Sequence, residues 1–130
     1  MPKLYEGKPY VRELTGKDFS NNKVDVKNSN DRGIVIFYAH WCPHCNNPYF
    51  IDMMNALGER LKKKQTNHSI NAFNCAENNN HEEISSNLGI NGFPTIKYIS
   101  NGKIGPSLEG GRDLETIIKF MIDKKKNNFL

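Results

Sequence analysis

"FYAHWCPHCNNPYF", residues 37–50, places two cysteines three positions apart, with Pro43 and His44 between them. It overlaps the end of "IVIFYA", residues 34–39, a continuous apolar run rich in β-branched and aromatic side chains. Such a run reads as a strand buried on both faces, the signature of a central strand in an α/β sheet. Beyond the cysteines, Phe50, Met53, Met54, Leu57 and Leu61 recur at helical spacing. The pair therefore stands where a buried strand hands over to a helix. That is the open end of the sheet, where ligand sites form. The spacing predicts Pro43 in the first helical turn, where a missing N–H costs nothing, and a kink or interruption at Pro48.

Outward from this stretch the pattern continues. "PYVREL", residues 9–14, alternates and predicts a short strand, whereas residues 16–33 are polar and predict a weak helix at most. "SINAFNC", residues 69–75, reads as another inner strand. Asn80 with Glu83 has the form of a capping box opening a short helix, with Ile84 and Leu88 inward. "TIKYIS", residues 95–100, is a strand. Asn101-Gly102 is a two-residue hairpin signal, with "SLEG", residues 107–110, as the antiparallel partner. Asp113 caps a last helix carrying Leu114, Ile117, Ile118, Met121 and Ile122 on one face. The order β-α-β-α-β-α-β-β-α predicts one α/β domain over residues 1–130, its core roughly 9–126. A central mixed sheet would have helices on both faces.

Composition narrows the partners. The formal net charge is +4, and Lys119, Lys124, Lys125 and Lys126 crowd the last helix. Cations suit a helix C-terminus, and no aromatic side chains interleave with them as a nucleic-acid surface would require. No nucleic-acid partner is expected. No apolar stretch approaches the roughly 18 residues of a membrane helix, so no membrane association is expected. The N-terminus carries no apolar leader, and the "NNFL" ending is not a retention signal. The chain as given reads as cytoplasmic, or secretory if a leader was removed. Its asparagine-rich, AT-biased character with no leader suggests the virion or virus factory of a large DNA virus. A monomer is expected.

Two cysteines at this spacing could hold a metal, staple the fold or carry electrons. A structural zinc site needs four ligands. One Cys-x-x-Cys supplies two, and Cys75, His40, His44, His68 and His81 form no second ligand pair at zinc spacing. A disulfide closing so short a loop removes little entropy from the unfolded chain. The redox reading fits the placement. At a helix start, unpaired N–H groups favour a thiolate on Cys42, and the thiolate is the nucleophile in disulfide exchange. Cys45, three residues on, lies one turn deeper and can resolve a mixed disulfide formed on Cys42. No metal and no cofactor are called for.

"FYAHWCPHC", "GINGFPTIKYI" (residues 89–99) and "LEGGRDLETIIKFM" (residues 108–121) resemble the thioredoxin superfamily, most closely a catalytic domain of protein disulfide isomerase. The resemblance implies a thioredoxin-like fold and a thiol–disulfide oxidoreductase that forms, reduces or isomerises protein disulfides. Protein thiols and disulfides would be its substrates, with a redox-recycling partner whose identity stays open. It implies Cys42 as attacking and Cys45 as resolving cysteine, the two forming the redox disulfide. His44 and Arg112 would tune them, Arg112 by approaching the resolving thiol. Trp41, Pro43, Phe93 and Pro94 would line the substrate site, with Pro94 after a cis bond and the Phe93 backbone pairing with an extended substrate.

Three positions depart from the family pattern. The buried acid six residues before the first cysteine, a proton acceptor for the resolving thiol, is replaced by Ile36. The partnering lysine on the third strand is absent, Ala72 being the nearest match. The helix proline falls two residues early, at Pro48. Pro-His between the cysteines is the pair of the bacterial periplasmic oxidant DsbA and points to the oxidising end of the family's range. Two other readings stand beside the enzyme: a thioredoxin-fold binding or structural component, such as one packaged in a virion, and a reductive electron carrier. Ile36 favours the first of these; the intact cysteine pair favours catalysis.

Overall fold

In the computed structural model, which describes residues 3–27 and 32–127, the apolar run forms strand β4 (Gly33–Tyr38), and each of its residues is buried. Around it lies a seven-stranded sheet in the order β1-β5-β4-β6-β7-β3-β2. The strands are β1 (Val11–Glu13), β2 (Phe19–Ser20), β3 (Lys23–Val24), β5 (Ser69–Asn74), β6 (Thr95–Ser100) and β7 (Lys103–Ser107). β5 runs parallel to both β1 and β4, and the remaining pairings are antiparallel. The sheet is therefore mixed, as the element order requires.

Alternation along β4 divides the core. Ile34, Ile36 and Tyr38 face one layer, which contains Phe50, Ile51, Met54 and Leu57 of helix α1 (Pro48–Lys63) and Ile117, Phe120 and Met121 of helix α3 (Leu114–Asn127). Val35 and Phe37 face the other, where Phe73 and Ile90 pack and Ile84 of helix α2 (Asn79–Asn87) joins them with Leu88, the residue that ends it. Two faces covered by helices are what a strand with no polar alternation demands.

Close approach seats α1. A Cβ added to the buried Gly58 would stand 2.2 Å from the Tyr10 carbonyl oxygen, just ahead of β1. Gly58→Ala is therefore expected to destabilise the fold by about 1–3 kcal/mol despite alanine's higher helix propensity. Thermal unfolding checks this, and an unchanged or higher midpoint would show that the contact has slack.

Several sequence expectations are corrected. Residues 16–33 contain a single 3-10 turn, Gly16–Asp18, capped by Thr15, and then the β2–β3 hairpin. Residues 28–31 of that stretch lie outside the described residues, as do 128–130 of the "NNFL" ending. The hairpin turns through Asn21 at φ 57°, a left-handed conformation asparagine tolerates. β7 begins at Lys103, earlier than the "SLEG" segment, because Asn101 and Gly102 both take positive φ (54° and 78°) and reverse the chain in two residues. The cap of α2 is Asn78, whose side chain accepts the His81 N–H at 2.8 Å, in place of Asn80. Asp113 does cap α3, accepting the Thr116 N–H at 3.2 Å. Among the described residues no helix is long and apolar enough to cross a membrane.

Candidate active site

The cysteines occupy a separate turn between β4 and α1. The Cys42 N–H donates to the Ala39 carbonyl at 3.0 Å, and the Cys42 carbonyl accepts from Cys45 (3.0 Å) and Asn46 (2.9 Å). The chain then starts a new helix: Pro48 is its first residue, and Asn47 caps it by accepting the Tyr49 N–H at 2.9 Å. Pro48 therefore interrupts no ladder, because a first-turn residue has no N–H bond to lose. Pro43 lies in the turn, outside α1. Cys42 opens that single turn and not the long helix, so the N–H groups near its sulfur are local ones.

Both thiols are free, yet their settings differ. Cys42 is 8 % exposed, and its Sγ lies 3.7 Å from the Phe93 carbonyl oxygen. Burial alone would raise its pKa. The N–H of Cys45, the Cys45 thiol, the N–H of His44 and the Arg112 guanidinium outweigh that and hold it below the ordinary thiol value. Cys45 is 1 % exposed. Burial, chiefly, and its hydrogen bond to Cys42 push it up to about 12, against opposing help from the Ala39 backbone and Arg112. One thiol of the pair is therefore easier to ionise than its neighbour.

The rim gathers other residues of the motifs. The Phe93–Pro94 peptide is cis, in the loop between α2 and β6. Trp41 is 64 % exposed and stands edge-on to Phe93, ring centroids 5.9 Å apart. Pro43 and His44 are exposed, and residue 44 brings its backbone N–H to the sulfur. Arg112 is exposed ahead of α3, and its charge reaches both cysteines.

Beneath the pair, Ile36 is fully buried in the same core layer as Cys42 and Cys45. It pairs in register with Ala72, and Ala72 with Glu13 on β1, so the three form one row across the sheet. Glu13 is half-buried and acts as an acceptor: its Oε2 receives the Tyr38 hydroxyl at 2.7 Å and the Tyr5 N–H at 3.0 Å. Burial raises its pKa, outweighing these two hydrogen bonds and Lys3, while Glu77 adds to the rise. Sequence reasoning missed Glu13 because an acid in a short alternating strand looks like a solvent-facing residue. The available signal was alternation: Glu13 shares a face of the short strand with the apolar Val11, which is core.

Cys75 does not join the pair. It is buried in the opposite core layer, its Sγ 3.8 Å from the Phe73 carbonyl oxygen, and burial pushes it up to about 11. Among the described residues, no group of three or more His, Cys, Asp or Glu side chains could hold a metal ion.

A dithiol on the turn that follows the central strand β4, facing a cis-proline loop, defines the thioredoxin-like class. The chain belongs to the thioredoxin family, whose model matches residues 10–123. It is 33 % identical over 123 residues to protein disulfide-isomerase like 2-2 of Arabidopsis thaliana, spanning 95 % of this chain and 25 % of that protein. Human protein disulfide-isomerase A6 is 33 % identical over 120 residues, spanning 91 % of this chain and 25 % of that protein. The chain thus spans about a quarter of the length of the curated relatives it matches. A crystal structure of the J-Trx1 fragment of ERdj5 superposes with a TM-score of 0.73 at 20 % identity, covering 95 % of this chain and 55 % of that one, a likeness of fold.

Proposed function

We propose that the chain is a thiol–disulfide oxidoreductase acting on protein thiols and disulfides through Cys42 and Cys45. The observation that carries this reading is the asymmetry of the pair. Cys42 has a lowered pKa and faces a loop, while Cys45, three residues on, is buried and pushed up to about 12. A metal ligand pair or a structural staple needs no such difference. Exchange does, because one sulfur must attack and the other must wait. The Phe93 carbonyl beside Cys42 supplies a backbone edge for an extended substrate, with Trp41 and Pro43 flanking it.

In the first step a Cys42 thiolate attacks a substrate disulfide, bonding to one sulfur and releasing the other as thiolate. In the second, Cys45 loses its proton and attacks Cys42, forming the Cys42–Cys45 disulfide and releasing the substrate thiol. The reverse sequence oxidises a substrate dithiol. Whatever stabilises the Cys42 thiolate stabilises the reduced protein and makes its disulfide the stronger oxidant. Insulin reduction and reoxidation of reduced ribonuclease, measured side by side, test the reading. Reoxidation is expected to dominate. Activity only in insulin reduction would identify a reductive carrier, and inactivity in both would identify a binding or structural component.

A further inference from the structure

Cys45 must lose a proton before it can attack, and Ile36 beneath it cannot accept one. The row that begins at Ile36 ends on a carboxylate. Glu13 lies two strands away, roughly 10 Å at ordinary strand spacing. Ala72, between them, carries only a methyl group. The Glu13 side chain reaches back across that gap to Tyr38, which β4 itself carries.

Tyr5 makes a second contact with Glu13. It is 2 % exposed, its ring stands edge-on to Tyr38 at 6.0 Å, and its N–H donates to the same Glu13 oxygen. Its hydroxyl is buried and has no hydrogen-bond partner among the described residues. A buried hydroxyl left unpaired is costly. Burial first, then negative charge on Cys45 and on Glu13, would hold the Tyr5 phenol above its ordinary pKa. Tyr5, Tyr38 and both cysteines share one core layer.

We propose that Glu13 accepts the Cys45 thiol proton in place of the acid missing from β4, with Tyr5 as a positioning residue whose free hydroxyl hydrogen-bonds the thiolate as it forms. This rests on the thiol–disulfide reading above. In the mixed disulfide, the Cys45 S–H proton passes to the Glu13 carboxylate. The thiolate attacks Cys42 Sγ, the Cys42–Cys45 bond forms and the Cys42–partner bond breaks. The electron pair leaves on the partner sulfur, which is then protonated from Glu13 or solvent. Two electrons have passed from the dithiol to the partner.

The pH dependence follows from the groups that face one another. Glu13 meets Tyr5, Tyr38, Lys3 and Glu77; Cys45 meets Cys42, Arg112 and, electrostatically, Tyr5. Burial has raised the Glu13 pKa, so the acceptor is present above that raised value and lost as pH falls through it. The resolving step should therefore rise with pH through the Glu13 titration.

The test is a single turnover of the reduced full chain with oxidised glutathione, quenched in acid and resolved by mass. Formation and decay of the mixed disulfide report the two steps separately. Glu13→Gln keeps the shape and an oxygen for the Tyr38 hydroxyl. It is expected to slow decay about tenfold or more at pH 7, at the low end for losing a proton acceptor. Formation should be unchanged, and the difference should close toward alkaline pH. Decay equal to the parent's at every pH from about 6 to 9 would overturn the role of Glu13. Tyr5→Phe removes only the unpaired hydroxyl, leaving no partner stranded. Slower decay with normal formation supports the role of Tyr5, and unchanged decay overturns it. Should Glu13→Gln fail to fold, Tyr5→Phe alone decides the proposal. A parent that forms neither the mixed disulfide nor the Cys42–Cys45 disulfide would bring down the thiol–disulfide reading itself, a result distinct from normal formation with unaltered decay.

Discussion

Cys42→Ser is expected to abolish disulfide exchange, while Cys45→Ala should hold protein partners on Cys42 as stable mixed disulfides. The two variants part because the sulfurs occupy different settings. Serine in place of Cys42 removes the sulfur at the Phe93 carbonyl, and the one left is 1 % exposed with its thiol pushed up to about 12. Nothing then attacks. Alanine in place of Cys45 leaves the attacking sulfur with the His44 N–H and Arg112 beside it, though without the Cys45 thiol's hydrogen bond. The first bond still forms, but the group that would break it is gone. Non-reducing gels of each variant after incubation with reduced and oxidised protein mixtures read the outcome. Equal trapping by both single variants would show that the roles are wrongly assigned.

Alkylation of the reduced chain should favour Cys42 over Cys45 by more than about tenfold at pH 7. Cys45, pushed up to about 12, is thiolate in about one molecule in 10⁵ at that pH. Cys42 is held below the ordinary thiol value, so a far larger share of it is thiolate. The more basic sulfur is the better nucleophile per thiolate, but a Brønsted slope of about 0.4–0.5 returns only part of that advantage to Cys45. Depth adds to the difference, because iodoacetamide reaches the loop before the core. As pH rises, Cys42 should level off once its lowered pKa is passed, while Cys45 keeps climbing about tenfold per unit. Peptide mass spectrometry after timed iodoacetamide exposure gives both rates. Comparable labelling of Cys45 and Cys42 at pH 7 would remove the asymmetry on which the functional reading stands.

The fold was legible where hydrophobic period and chain direction agreed. β4 is a continuous apolar run of six residues, β5 sets Ile70, Ala72 and Phe73 among polar residues, and the stripes of α1 and α3 repeat at helical spacing. The β2–β3 hairpin was not, because two residues per strand cannot show a period of two. Its best clue was the Asn21-Asn22 turn. The start of β7 was misplaced because Lys103 and Pro106 are poor strand residues, and their place comes from the two-residue loop before them. At the site, the cysteines and the Phe93–Pro94 loop could be named from motif and resemblance. A kink or interruption at Pro48 was expected and is absent: Asn47 caps a new helix that Pro48 opens, and the cysteine turn stands apart from it. Glu13 was invisible because its importance depends on lying level with Ala72 and Ile36, and register between distant strands leaves no mark in local sequence.

The two outer strands have a consequence for how the molecule meets other chains. β1 offers three residues and β2 two, so neither border of the sheet presents a long row of unpaired backbone groups. Long open borders recruit stray strands and seed fibrils, and short ones resist it. Under the proposed function the protein would meet such strands among its substrates. Here the sheet's sides give an extended guest little to zip onto. On the same proposal the receiving place would be the carbonyl of Phe93, a few ångströms from sulfur, where docking is confined to a short contact and release stays possible.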